Sequence, residues 1–362
     1  MLKNLRLSRV PADTQLQAWN AADEFLLGQQ QLLRNPVLLV NDAFGALALA
    51  LQTANSELEN LDWWNDSASA MEALHENADR NNLPLPALVN APFADSLSSH
   101  YQSVVIHIPK SASYFAWQLE QIKPSLNEGA EVFALGMVKH INSAHIRVMN
   151  EHFQTVNPGR AEKKARVICL TNPNKNTQKP TIKSYHNPLN QKPIYTLPGC
   201  FAEKTLDPGA RAFIEYFDQL PSAKKVLDLA CGNGVLAQSF LTDQTDVQLH
   251  LADDSLQAIN SAKMNLTNLE NCHFHHSNGA NKIPEQDFDL VLCNPPFHQQ
   301  ATVTERIAEK LIADAAKVLT AQGQLWLVAN RHLDYRKTLK RYFSATRIVS
   351  NDARFNVICC QK

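Results

Sequence analysis

Phe288-Asp289-Leu290-Val291-Leu292-Cys293-Asn294-Pro295-Pro296-Phe297 is the stretch that sets the fold. Residues 288–293 are short, β-rich and almost uncharged, the pattern of a strand buried on both faces of a parallel sheet. An Asn followed by two prolines cannot extend a sheet ladder, because proline has no N–H to give. The strand therefore ends at Cys293, and the tetrapeptide lies at its carboxyl end, where open α/β sheets bind ligands. The Asn294 side-chain oxygen and the Pro295 carbonyl are two acceptors whose direction the Pro295-Pro296 rings fix. Phe297 adds an aromatic face. A planar group with an exocyclic NH2 meets both acceptors and stacks on the phenyl ring. Nucleobase amines suit this best, and a glutamine amide also fits. A turn that merely breaks a strand has the same sequence, so the neighbouring segments decide.

Upstream, 226–236 reads as strand, glycine turn and helix, with Gly232 and Gly234 permitting positive φ and close approach of a ligand. A second strand, 247–252, ends in Asp253-Asp254-Ser255, which places Asp253 at its tip to accept the hydroxyls of a ribose. Strand 272–276 ends at Ser277-Asn278. A helix over 304–319 puts Ile307, Leu311, Ala315 and Val318 on one face, and strand 324–329 follows. Two short strands are expected around 346–350 and 357–360. The glycine turn is Asp228-x-x-x-Gly232-x-Gly234. A pyrophosphate at this turn would be repelled by Asp228, whereas the sulfonium and amino group of S-adenosylmethionine would be attracted. Asp228 also has a plainer reading, as an acid capping the next helix. The ordered set favours a methyltransferase: Asp228, the two glycines, Asp253, Asn278 and Asn294 to Phe297.

The first ~170 residues read as an α/β domain of their own. It is expected to hold a helix over 16–33 and strands at 36–40, 103–108 and 131–135. A helix is expected to begin at Asp66-Ser67. Residues 1–170 and 199–362 are taken as two domains joined by a basic linker, 171–198. The halves echo each other. Asp66-Ser67 with Ala70 and Asn77 repeats the spacing of Asp254-Ser255 with Ala258 and Asn265. Ser103 to Lys110 aligns with Asp289 to Pro296, putting Ile108 on Asn294 and Pro109 on Pro295. The first copy lacks the glycine pair and reads as a duplicate that has lost its cofactor site.

With 362 residues the chain is long enough for two cores. Its seven cysteines include no C-x-x-C pair and read as reduced thiols of a cytoplasmic protein, with no metal site. No segment approaches a membrane span. The net charge of −1 means that any nucleic-acid binding must come from local patches. Candidate patches are Lys163-Lys164 and the basic C-terminal region with Arg331, His332 and Lys337. An ordinary solvated face is the plainer account of each. No exposed apolar helix invites a partner, so a monomer is expected.

On the motifs at 228–234, 253 and 294–297 the chain resembles the class I S-adenosylmethionine-dependent methyltransferases. It is similar, more closely, to the ribosomal RNA guanine-N2 methyltransferases. The resemblance to the large-subunit (23S) branch covers essentially the whole chain, including residues 16–24, 41–47, 206–211, 293–300 and 328–335. It implies two tandem class I (Rossmann-like) methyltransferase domains, the N-terminal one degenerate and serving RNA recognition. The implied substrate is the N2 amine of a guanine in 23S rRNA, and the implied cofactor is S-adenosylmethionine. Implied cofactor residues are Phe201, Asp228, Gly232, Gly234, Asp253, Asn278 and Asn294. The implied target-amine site is Asn294 to Phe297. Two positions depart from the family pattern: Ala230 replaces a glycine, and Ala202-Glu203 replaces Ser-Arg after Phe201. A 16S rRNA substrate, an adenine N6 or glutamine amine, and a non-catalytic assembly factor remain as alternatives.

Overall fold

Short apolar runs such as Val37–Val40, Val132–Leu135 and Leu290–Cys293 each become the middle of a parallel strand. The computed structural model describes residues 1–13, 15–54, 58, 60–89, 100–175, 181–242, 246–266, 270–284, 286–296, 301–333, 335–350 and 352–362, with only the backbone at 301–304. These fall into two units, Met1–Thr181 and Ile182–Lys362.

The first unit contains α1 (Ala21–Leu27), β1 (Val37–Val40), α2 (Ala46–Ala54), β2 (Leu61–Trp64), α3 (Ala68–Asn81) and β3 (Ala87–Leu88). It continues through β4 (Tyr101–His107), α4 (Ala112–Ile122), β5 (Leu126–Met137), α5 (Ser143–His152), β6 (Phe153–Pro158) and β7 (Ala165–Pro173). The sheet order is β3-β2-β1-β4-β5-β7-β6. Pairs up to β4–β5 are parallel, and β5–β7 and β6–β7 are antiparallel. Helix α1 is much shorter than the 16–33 expected. Asn20 and Asp23 form a capping box at its start, Asn20 Oδ1 accepting from Ala22 N and Asp23 Oδ2 from Asn20 N, both at 2.8 Å. Gly28 caps its end.

The second unit opens with a hairpin of β8 (Lys183–His186) and β9 (Pro193–Thr196), which lies inside the stretch expected to be linker. Then come α6 (Pro208–Ile214), β10 (Lys225–Leu229), α7 (Val235–Phe240), β11 (Gln248–Asp253), α8 (Leu256–Asn265), β12 (Cys272–His276) and β13 (Phe288–Cys293). α9 (Ala301–Val318), β14 (Leu319–Asn330), α10 (Arg336–Tyr342), β15 (Ala345–Ile348) and β16 (Phe355–Gln361) complete it. The order β12-β11-β10-β13-β14-β16-β15 repeats that of the first sheet, strand for strand. Leu311, Ala315 and Val318 of α9 are buried against β13 and β14 in one core layer, with Ile307 packed beside them. Apolar side chains on the other face of the sheet, among them Val226, Leu249 and Leu290, fill a second layer.

The repeat extends to single hydrogen bonds. Asn77 Nδ2 donates to Phe44 O at 2.9 Å, and Asn265 Nδ2 to Asn233 O at 2.9 Å. Ser67 and Ser255 cap α3 and α8 through Ala70 N and Ala258 N. Asn41 and Ala230, just after β1 and β10, are both left-handed, with φ of 63° and 62°. The pairing corrects the alignment drawn from sequence. Val40 pairs with Ile106 and Leu229 with Cys293, so His107, not Ile108, stands where Asn294 stands. Pro109 therefore matches Pro296, not Pro295. By the same registers Leu39 occupies the place of Asp228, and Asn65 that of Asp253. Sequence alone slipped by one residue because isolated proline matching cannot see a strand register.

Candidate active site at the carboxyl edge of the second sheet

The turn after β10 is built to bring backbone close to a ligand. Gly234, at φ 78°, starts α7, and a Cβ there would lie 3.1 Å from the Ala262 Cβ. Gly232, at φ 54°, has open space where a Cβ would project. Ala230 adopts a left-handed conformation that L-residues rarely take, and its small side chain keeps the turn without the glycine. Between the glycines, Asn233 Nδ2 donates to Tyr185 Oη at 2.8 Å and Thr196 Oγ1 at 2.9 Å. The β8–β9 hairpin thus braces the turn.

Asp228 is fully buried in β10. Its Oδ2 accepts from Ala237 N of α7 at 3.2 Å, which is the helix contact of the plainer reading. Its Oδ1 is buried with no hydrogen-bond partner among the described residues. Burial pushes this carboxyl up to about 7; the Ala237 N–H opposes that and the charge of Asp253 adds to it. Asp253 stands at the tip of β11, and its two oxygens accept from Gly232 N and Ser255 N, each at 2.9 Å. The acid is thereby tied to the glycine turn, and each carboxylate oxygen can accept more than one hydrogen bond. Burial, with Asp253 and Asp228 nearby, holds the Cys231 thiol well above its ordinary range. Ser277 N donates to Asp253 O at 2.9 Å, which sets Asn278 beside that tip, its carbonyl accepting from Lys310 Nζ at 3.0 Å.

Asn294 follows β13 directly. Its Nδ2 donates to Asp207 Oδ2 at 3.1 Å, while its Oδ1 is buried with no partner among the described residues. Asp207 also caps α6, accepting from Ala210 N at 2.8 Å. It holds the amide by its NH2 end and leaves the oxygen to accept. Asp207 was not among the expected site residues. Its local sign was the Asp-Pro-Gly of a helix start, which said nothing of a partner at residue 294. Pro295 is buried and Pro296 half-buried. Phe297 and His298 lie outside the described residues. Phe201 is 46% exposed, on a turn that Pro198 O ties to Gln257 Nε2 of α8.

The expected RNA-binding residues lie in both units. Lys163 and Lys164 turn the chain between β6 and β7, and Lys163 Nζ pairs with Glu24 Oε2 at 3.1 Å. Arg331 and His332 are exposed just beyond β14, and Lys337 is exposed on α10. Among the described residues no three His, Cys, Asp or Glu converge as a metal site, and no helix is long and apolar enough to cross a membrane.

Five parallel strands with a glycine turn, an acid tip and an Asn-Pro-Pro tip in order define a Rossmann-like methyltransferase domain, preceded here by an N-terminal accessory domain. Residues 191–359 match the family described as Methyltransferase small domain, and residues 1–176 match the RLMG N-terminal domain. The chain belongs to the ribosomal RNA large subunit methyltransferase G family. It is 36% identical to the member from Colwellia psychrerythraea, over 97% of this chain and 95% of that protein. It is 35% identical to the member from Shewanella oneidensis, over 99% and 97%. In fold it is similar to a 16S rRNA N2 methyltransferase of T. thermophilus solved in complex with AdoMet and guanosine. The TM-score is 0.76 at 19% identity, covering 95% of this chain and 92% of that one.

The residues fit S-adenosylmethionine. Asp228 Oδ1, without a partner among the described residues, suits a cationic group, Gly232 opens onto free space, and the Asp253 carboxylate at the tip of β11 would accept from a diol.

Proposed function

We propose that this protein transfers a methyl group from S-adenosylmethionine to the exocyclic N2 amine of a guanine in 23S rRNA. The observation that carries the reading is the Asn294 amide, anchored at its nitrogen by Asp207 and left with a buried oxygen that none of the described residues meets. An unmet acceptor in a buried site is costly unless a ligand donor meets it.

When bound, S-adenosylmethionine supplies an electrophilic methyl group on a cationic sulfur. Asp228, Gly232, Gly234, Asp253, Asn278 and Phe201 would hold it. The guanine N2 lone pair is delocalised into the ring, so the amine is a weak nucleophile. Asn294 Oδ1 and the Pro295 carbonyl accept its two protons, favour a pyramidal nitrogen and aim the lone pair. Pro296 stiffens the segment, and Phe297 stacks on the base. No strong general base is required of the chain, because an alkylated arylamine nitrogen is acidic enough to lose its proton to water.

In this reading the first unit is a degenerate methyltransferase domain that serves RNA recognition, with Leu39, Asn65 and His107 standing in place of the working side chains. Lys163, Lys164, Arg331, His332 and Lys337 contact phosphates. The enzyme acts as a cytoplasmic monomer. Tritiated methyl transfer to naked 23S RNA, naked 16S RNA and assembled subunits tests the substrate. Label in the N2 position of guanine in 23S RNA is the expected result. Label in 16S RNA, in adenine or in protein would replace this reading, and no label anywhere would leave a binding factor.

A further inference from the structure

Helix α9 grips the turn that follows β12. Lys310 Nζ donates to Asn278 O at 3.0 Å and to Asn281 Oδ1 at 3.3 Å. One helical turn on, Asp314 Oδ2 accepts from Ala280 N at 3.1 Å and pairs with Lys310 Nζ at 2.5 Å. The two side chains are 26% and 16% exposed, so water competes weakly for the pair. Gly279 lies between these anchors at φ 62°, and a Cβ there would overlap Asp314 Oδ2 and come 2.7 Å from Lys310 Nζ. Only glycine lets the turn lie this close to the pair. Ser277 Oγ accepts from Lys282 N at 3.0 Å and closes the turn. The apolar face of α9 already seats the helix through Leu311, Ile312 and Ala315, so its place in the core does not depend on the polar pair.

The order of the sheet says what this turn borders. Outward from β13, the strand ends carry Asn294, then the glycine turn of β10, then Asp253 of β11, then Asn278 beyond β12. In the reading above, Asn294 takes the target amine and Asp253 the ribose hydroxyls. Neighbouring strands stand about 4.8 Å apart, which is about the reach from a ribose to its own base. Ser277 N donates to Asp253 O at 2.9 Å and joins those two strand ends directly. The turn at 278–281 is therefore where the base of a bound nucleoside comes to rest.

We infer that Lys310 and Asp314 are positioning residues for the base of the methyl donor. They fix the turn, and the Asn278 side chain accepts from the exocyclic amine of adenine. This rests on the cofactor reading given above. The Asn278 carbonyl and the Ala280 N–H are held by the two partners of one ion pair, so the peptide units on either side of Gly279 cannot swing. Glycine at positive φ would otherwise be the most pliable point of the turn. A turn fixed in advance loses little freedom when a base docks, and that saving appears as affinity. A pair that served only to stabilise the fold would leave the choice of base untouched.

Calorimetry of the full chain with S-adenosylhomocysteine, and with its analogue lacking the 6-amino group, tests this. The wild type should prefer the first about threefold to tenfold, the value of about one hydrogen bond. Lys310→Met and Asp314→Leu should bring that ratio close to one. Asp314→Asn keeps an oxygen for Ala280 N and Lys310 and should retain the preference. Gly279→Ala pushes the pair aside and should behave as Lys310→Met does. In methyl transfer, Lys310→Met and Asp314→Leu should raise KM for S-adenosylmethionine several-fold with kcat nearly kept, because Asp207 holds Asn294 independently. Either of these two variants, folded by its melting curve, that keeps the wild-type preference overturns the inference and leaves the cofactor reading standing. A wild type that binds both compounds equally does the same. If the wild type binds neither, the cofactor reading falls and the inference falls with it.

Discussion

At the scale of single residues the site depends on which end of one amide faces inward. Asp207 fixes that choice for Asn294, and it also caps α6. Asn294→Ala should cut turnover strongly while cofactor affinity, measured by calorimetry, stays nearly unchanged. Lost cofactor binding instead would place Asn294 in a different role. Asp207→Ser keeps a capping oxygen but is too short to reach residue 294. It should lower kcat about tenfold with little change in melting temperature, since it frees the amide without undoing the helix. Asp228 makes a separate prediction in pH. Its folded-state pKa, about 7, is above the value of 3.8 expected when exposed. Folding therefore takes up a proton between those values. The associated stability is full below the lower one and is lost as pH rises through about 7. Asp228→Asn should raise the melting temperature at about pH 8.5 and much less at about pH 5. The cationic cofactor needs the ionised form, so wild-type affinity should weaken as pH falls below about 7 and the variant should show no such slope. A pH-independent wild type would remove Asp228 from the cofactor site.

At the scale of elements, much was legible in sequence because parallel strands write themselves as short, mostly apolar runs. Val226–Leu229 and Phe288–Cys293, each with a single Asp, read as such strands, and the Asn-Pro-Pro tip followed from where the second stops. The β8–β9 hairpin was not legible. Lys183–His186 is exposed for most of its length, so it carries neither an apolar run nor an alternation. What holds it is a contact between distant segments: fully buried Asn187, whose Nδ2 donates to Gln238 Oε1 at 3.0 Å and Ser239 Oγ at 2.9 Å. Asp207 escaped for the same reason, its partner lying 87 residues away. Asn187→Ala strands two buried acceptors on α7 and should cost about 2–3 kcal/mol in denaturant unfolding of the second unit. Because the hairpin also braces Asn233 beside the glycine turn, the variant should bind the cofactor more weakly. Unchanged stability would mean that the hairpin is merely laid on the surface. Gly234→Ala meets both a positive φ and the Ala262 methyl, and should destabilise by about 1–2 kcal/mol.

At the scale of the whole molecule, an overall charge of −1 cannot draw in a polyanion, so RNA affinity must come from a few clustered cations. Binding of 23S RNA should then fall steeply with salt on a log–log plot, by about one counterion per phosphate contact. A flat response would count against Arg331, Lys337 and their neighbours. Two sheets of one topology also raise the question of how many methyl donors a chain holds. In the first unit the place of Asp228 is taken by Leu39, which offers no charge, and that of Asp253 by Asn65. The place of Asn294 is taken by His107, and its Nε2 is held by Asp23 Oδ1 of α1 at 2.6 Å. Burial opposes charge on that imidazole, and Asp23 and then Asp42 raise its pKa, so a ring tied to Asp23 stands where the second unit has the Asn294 amide oxygen. A sulfonium has no counter-charge to meet at Leu39. Titration calorimetry of the full chain with S-adenosylmethionine should therefore give one site, and Asp253→Ala should abolish the heat rather than halve it. A second site surviving that substitution would show that the first unit has kept what its side chains say it has lost.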